Sequence, residues 1–462
     1  MPGTPTNGGM GPRVTERGTA GKRSGKAVPR DFRTRLAILF LTVFVDLVGF
    51  GIILPLLPLY ADRFGASGTM IGVLVLSYSA AQLLMAPVWG KLSDRFGRRP
   101  ILIIGLIGSA VSYLVFAFAG SILALLLSRV MAGVGGANVP VAQAYIADIT
   151  PPERRAGGMG LIGAAFGLGF IFGPAIGGIL APISPAAPGL AAAALCAVNA
   201  LLAIFLLPES LSREEREARR ADGATVTPGG VRESAPAVGM GLVPVPAANL
   251  RAVVRSPDFA TILVLTFLFT AAFSTMHPVF PLFAAQRFGM DERAVGWLFA
   301  FLGTVSALMQ GVVVRVLAPR IGEDRLVRLA ALPFVAGLCL LAVAHTLPVL
   351  LLGLALLAVG FGGTLPSLVS LLSRAAPDEL QGSSLGIGQS VGALARIAGP
   401  LAGGIAWDLF GAPAPFLLGA LLAALAAARV LLRAVPGRVR APVSGGRRTA
   451  SRSSHSSNAP RT

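Results

Sequence analysis

Three charged residues stand inside long apolar runs: Asp46 in FVDLVGFGIILPLLPLY, Arg129 in LLLSRVMAGVGG, and Arg396 between Gly392 and Gly399. A charge in such surroundings is costly, so it usually pairs, binds an ion or relays a proton. Asp46 can take up and release a proton. Arg129 can balance that carboxylate. Arg396 has no obvious acidic partner, so it suits an anionic group of a cargo or the carbonyls of a helix end. No HExxH, CxxC, GxSxG or Walker A pattern occurs, so no enzyme, metal, cofactor or ATP-driven step is expected. Cys196 and Cys339 lie in separate apolar runs and point to neither a disulfide nor a zinc site.

The elements that would hold these residues follow from composition. Hydrophobic residues make up 54% of the 462, charged residues 13%, and the mean hydropathy is +0.75. A soluble domain carries about 25% charge. Apolar runs long enough to cross a bilayer fall near 36–60, 70–90, 100–119, 121–146, 157–181, 188–207, 258–285, 293–316, 326–344, 347–372, 384–408 and 411–433. They lack the alternation of an outer-membrane barrel, so the fold class is all-α, a polytopic membrane bundle of twelve spans.

Depth follows from helix rise. Ten residues from the start of span 1 put Asp46 about 15 Å into the bilayer, and Arg129 comes to a similar depth from the other end of span 4. His277 lies nineteen residues into span 7 and is expected near the outer surface, at a helix end.

Of the 39 Lys and Arg, only Arg63, Arg287 and Arg293 fall in one set of loops, while Arg129 and Arg396 lie inside spans. The rest crowd the two tails, the loops of the opposite side and the span ends beside them. That bias puts both termini in the cytoplasm and accounts for the +18 charge without nucleic acid. The expected organisation is a basic, disordered tail (1–34), a six-helix bundle (35–207), a cytoplasmic linker (208–257), a second six-helix bundle (258–435) and a disordered tail (436–462). The charged start of the linker suits an amphipathic helix, and the rest reads as flexible.

The bundles repeat. PVAQAYIADITPPERRAGGMG from Pro140 matches PSLVSLLSRAAPDELQGSSLG from Pro366, and GPAIGG (173–178) matches GPLAGG (399–404) at the same offset. Pro55 and Pro58 match Pro278 and Pro281. Two like halves rocking about a site between them is the build of an alternating-access transporter.

GKLSDRFGRRP (90–100) joins spans 2 and 3. Its glycines, Gly90 and Gly97, permit a tight turn and close helix approach. Asp94 can accept from exposed N–H groups at a helix start, and Arg95 and Arg98 can pair with carboxylates. In span 5, Gly169, Gly173 and Gly177 recur every fourth residue on one helix face, with Pro174 and Gly178 beside them.

On these motifs and the duplicated halves, residues 35–435 resemble the major facilitator superfamily. The resemblance implies that Asp94, with Gly90, Arg95, Gly97 and Arg98, forms a latch that docks on the start of span 11. The second-half copy keeps Arg320 and Gly322 but has Pro319 in place of the aspartate. Gly169, Gly173, Pro174, Gly177 and Gly178 look like the family's antiporter signature, which implies export.

Span 1 (acid, then GxG and two prolines) and span 4 (arginine, then glycines) resemble those of tetracycline-type drug:proton antiporters. Asp46 would then carry the proton and Arg129 would tune it. Spans 3 and 9 lack the further acids of tetracycline exporters. Phe50, Gln82, Asn138, Phe273, Met276 and Arg396 are the expected cavity residues. The resulting expectation is a monomeric, proton-coupled exporter of small apolar or cationic compounds, such as antibiotics, in a bacterial cytoplasmic membrane. Its partners are small molecules, protons and lipid. The alternative is a symporter or uniporter importing a sugar, organic acid or other metabolite.

Overall fold

In hydrocarbon every backbone polar group must be satisfied within its own segment, so each apolar run closes into a helix. A computed structural model of the chain describes residue 3 and residues 30–151, 155–210, 256–376 and 381–432. Most of the first tail, the second tail, most of the linker and the residues just ahead of span 11, at whose start Asp94 is expected to dock, lie outside the described residues; residues 30–34, expected as tail, open the first helix.

Among the described residues, eleven helical segments are long and apolar enough to cross a membrane. A twelfth, Gln381–Phe410, carries Gln389, Ser390 and Arg396 and packs between spans 2 and 7. The spans match the twelve runs of the sequence.

Three spans break where a cavity needs irregular backbone. Span 1 is Arg30–Ile53 followed by Leu56–Asp62, with Pro55 between them. Span 7 is Pro257–Met276 followed by Phe280–Phe288, broken at His277 and Pro278. Span 4 is Ile122–Gly135 followed by Val139–Ile149. Span 8 passes through a π-helical stretch, Met309–Val314. A proline cannot donate a hydrogen bond to the preceding turn, which accounts for the matched breaks in spans 1 and 7.

Each half buries its own apolar core. Phe259, Phe269, Phe334 and Phe416 anchor that of the second half, and that of the first falls into two clusters, one around Ile52, Leu56 and Tyr113 and one around Tyr145. Around the bundle, large apolar side chains such as Phe118, Phe205 and Leu421 face outward, as expected where lipid is the solvent.

The halves meet through spans 5 and 8 and through spans 2 and 11. The duplicated glycine motif explains how. Gly173 and Gly177 seat on span 1: a methyl on Gly177 would stand 2.5 Å from the Ile52 carbonyl oxygen. Gly399 and Gly403 seat the same way on span 7, against Ser274 and Thr275. The final glycine of each motif turns to the other half. Gly178 meets Gly296, and Gly404 meets Gly68. Gly72 lies under the Pro400 carbonyl and Gly296 under that of Pro174, so the two crossings are related by the repeat.

These contacts lie from mid-span to the end away from the termini, here the far end. Toward the other, basic end, Gly90, Gly160, Gly311 and Gly386 of the same four spans have nothing described within 4 Å of a would-be methyl. The halves are thus joined at the far end.

Candidate functional site

A cavity of about 390 Å³ lies between the halves. Its wall is mostly apolar and aromatic. Phe50 packs on Tyr78 (ring centroids 4.7 Å) and on Phe170 (6.0 Å). From the other half, Phe273 stacks on Phe361 at 3.8 Å. Gln310 and Gln389 line it toward the basic end.

The charges expected at mid-span are all here: Asp46, Arg129 and Arg396 line this one cavity. Asp46 and Arg129 do not form the ion pair that their similar depth suggests. Asp46 lies against span 6, where the Cys196 thiol donates to its Oδ1 at 3.9 Å. Arg129 turns toward the Phe116 ring, with its guanidinium carbon 5.2 Å from the centroid. Its Nε donates to Ser128 Oγ at 3.4 Å, while Nη2 is buried with no hydrogen-bond partner among the described residues. The same cavity is lined by Tyr78 and Tyr113, and the aromatic face takes the place of the carboxylate as Arg129's neighbour.

Of the cavity residues expected from sequence, Phe50, Gln82, Phe273 and Arg396 line it. The Gln82 amide donates to the Gly136 carbonyl at 3.0 Å, bridging span 2 to the break in span 4. Two expectations are corrected. Met276 is fully buried in the second half's core and does not line the cavity. Asn138 is buried against Gly105 of span 3 and does not reach the cavity. His277 is corrected too: the break in span 7 places it in the cavity wall, 4.8 Å from the Phe273 ring centroid. The span continues past it as Phe280–Phe288, so the distance from the span's start alone puts it too near the surface.

Tyr78, Tyr113, Phe170 and Phe361 also line the cavity and were not singled out in sequence. Tyr78 precedes Gln82 by one turn on the same face of span 2, a spacing that could have found it.

At the basic end, GKLSDRFGRRP forms a network within the first half. Arg98 is buried and pairs with Asp94 at 2.8 Å and with Asp148 of span 4 at 3.0 Å. Its Nη1 also donates to Ser93 Oγ at 2.6 Å. Glu209, just after span 6, accepts from the backbone N–H of Arg98 (2.9 Å) and Arg99 (3.3 Å). Those are free donors at the start of span 3, so the carboxylate caps it. Gly97 makes the turn at φ 106°, a conformation costly for other residues, and Gly322 does so at φ 87° in the second half. There Glu323 pairs with Arg374 of span 10 at 2.7 Å. The repeat thus keeps the Arg98–Asp148 bridge with its charges exchanged.

At the far end, Asp408 of span 11 accepts from the backbone N–H of Gly68 (2.7 Å) and Thr69 (2.8 Å) at the start of span 2. Arg63, just after span 1, pairs with Glu292 at the start of span 8 and also joins the two halves.

The model of the Major Facilitator Superfamily matches residues 39–400 and 262–458. The chain belongs to the major facilitator superfamily. Among its relatives in this superfamily, the tetracycline resistance protein, class E, of Escherichia coli is 33% identical over 367 residues, 78% of this chain and 84% of that protein. Major facilitator superfamily domain-containing protein 10 of Bos taurus is 34% identical over 416 residues, 82% of this chain and 88% of that one. Multidrug resistance protein 2 of Bacillus subtilis (strain 168) is 29% identical over 383 residues, 82% and 90%. Among solved structures, the human organic anion transporter MFSD10 (TETRAN) is similar at a TM-score of 0.63 and 28% identity, covering 87% of this chain and 100% of that one. The nucleoside transporter NupG shares the fold at a TM-score of 0.67 and 14% identity, covering 86% and 98%. This major facilitator superfamily member is therefore a multi-pass membrane transporter and not an enzyme.

Proposed function

We propose that the chain is a proton-coupled antiporter that exports small, largely apolar compounds across a bacterial cytoplasmic membrane, with both termini in the cytoplasm. The observation that carries this reading is the placing of Asp46 in the wall of the inter-half cavity, without an arginine partner to lock it in one charge state. A carboxyl so placed can exchange its proton with the cavity and change its charge as cargo arrives. The resistance proteins among its relatives support export as the direction.

The mechanism follows from the two seams. With the far end closed, cargo enters the cavity from the basic side and lies between the two aromatic walls. Rocking of the halves opens the crossings Gly72–Pro400 and Gly296–Pro174 and releases cargo outward. A proton arriving at Asp46 from outside then favours the return. In the opposite conformation Asp94, with Arg98 beside it, docks on the start of span 11 as a latch. Gly169, Gly173, Pro174, Gly177 and Gly178 set the span 5 surface that closes against spans 1 and 8. One copy holds both walls of the cavity, which supports a working monomer.

The test is transport in proteoliposomes with an imposed pH gradient and a panel of resistance compounds. The wild-type chain moves a compound and protons in opposite directions, and Asp46→Asn abolishes gradient-driven export. Normal uphill export by Asp46→Asn, or protons moving with the cargo, overturns the proposal.

A further inference from the structure

Arg396 holds the only guanidinium in the cavity wall that makes no hydrogen bond or ion pair among the described residues. It lies on span 11, one turn before the Pro400 carbonyl that rests over Gly72. Its side chain is partly exposed to the cavity, unlike Arg129, which is 2% exposed and covered by Phe116. A guanidinium that met helix carbonyls would be satisfied within the protein, and this one is not.

The cavity's charges add to this. Two arginines face it, and Asp46 is its one carboxylate among the described residues. An ionised Asp46 leaves a net charge of +1, and a protonated Asp46 leaves +2. A cationic cargo would be repelled in both states, whereas an anionic one completes the pairing. A planar guanidinium fork suits a carboxylate, sulfonate or phosphate with two parallel hydrogen bonds. The aromatic pairs Phe50–Tyr78 and Phe273–Phe361 flank the space from both halves and suit a flat ring system.

We propose that Arg396 is the specificity-determining residue of the transport cavity, and that the cargo is an aromatic organic anion whose acidic group binds its guanidinium. This rests on reading the inter-half cavity as the transport site and names the cargo class for it. The cationic compounds suggested by resemblance to drug antiporters are then poor cargo. Because Arg396 and Pro400 share a turn of span 11, an anion held there sits directly beneath the far-end crossing.

The test is equilibrium binding to the purified full chain in lipid nanodiscs, read by fluorescence polarisation at pH 8. Two xanthene dyes of similar size and opposite charge serve as probes: fluorescein, a dianion at that pH, and rhodamine 6G, a cation. The wild-type chain binds fluorescein more tightly than rhodamine 6G. Arg396→Gln weakens fluorescein binding about tenfold or more while leaving rhodamine 6G unchanged or improved. Arg396→Lys, which keeps the charge but not the fork, retains part of the fluorescein affinity. Thermal unfolding of each variant confirms that it folds. The proposal is overturned if the wild-type chain shows no preference for the anion, or if Arg396→Gln weakens both dyes equally. Binding at equilibrium needs no proton gradient, so this result stands apart from the Asp46 coupling test.

Discussion

Gly72→Ala is expected to push the transporter toward the state open at the far end. In the closed seam the added methyl would stand 2.4 Å from the Pro400 oxygen and 3.2 Å from the Leu401 Cα. The neighbour is backbone, so no side chain can swing away. An ordinary contact requires spans 2 and 11 to part by about 1 Å at a packed crossing, and overpacking of that kind costs about 1–3 kcal/mol. The cost falls on the closed seam, because the two helices belong to different halves. At about 1.4 kcal/mol per tenfold, the open-to-closed ratio rises about 5- to 150-fold.

The assay is the distance between spin labels at Asp62→Cys and Pro413→Cys, two exposed far-end positions in opposite halves, with Cys196 and Cys339 replaced. The longer-distance population grows in Gly72→Ala. Gly177→Ala is the contrast. Its methyl would stand 2.5 Å from the Ile52 oxygen, but within one half. It lowers stability without favouring the open far end. Gly120→Ala meets nothing within 4 Å and changes neither. Unchanged distances in Gly72→Ala together with a drop in unfolding temperature like that of Gly177→Ala would refute the reasoning. The crossing would then be a fixed joint.

Asp408→Asn removes a charged acceptor from two N–H groups at the start of span 2. The site is exposed, so the loss is about 1 kcal/mol, and far-end cysteine labelling should speed up roughly fivefold. Glu209→Ala uncaps span 3 and should lower stability by about 1 kcal/mol, read by thermal unfolding in detergent. Arg98→Glu or Asp148→Arg alone should be strongly destabilising, by about 3 kcal/mol or more, since each leaves like charges at a partly buried site. The double exchange restores the bridge in the Glu323–Arg374 sense but leaves a glutamate beside Asp94, where the second half has Pro319, so it should recover only part of the loss, as a double-mutant cycle would show.

Much of this was legible along the chain. The twelve runs and their internal repeat gave the bundle, because a span's length and apolarity are local properties that lipid reads directly. The mid-span depth of Asp46 and Arg129 followed from counting helix rise, and that of Arg396 from its place within its apolar run. The same count misplaced His277, because a second helical piece, Phe280–Phe288, carries span 7 on beyond it, and Met276 turned out to belong to the core of its own half. Asn138 misled for another reason: it sits at the break in span 4, where one residue's rotation decides between cavity and span 3.

By itself, the sequence determined the number of spans, the duplicated halves, the glycine rows and the buried charges, since each depends on composition and spacing within a segment. Only the tertiary structure decided which neighbour each of these meets. Glycines of one motif serve two seams because helix rotation points Gly177 at its own half and Gly178 at the other. Asp46 rests by Cys196 and not on Arg129 because one side chain faces span 6 and the other faces Phe116 of span 3. Arg396 is left unpaired for the same reason: pairing is a property of distance in space, and no spacing along one helix contains it.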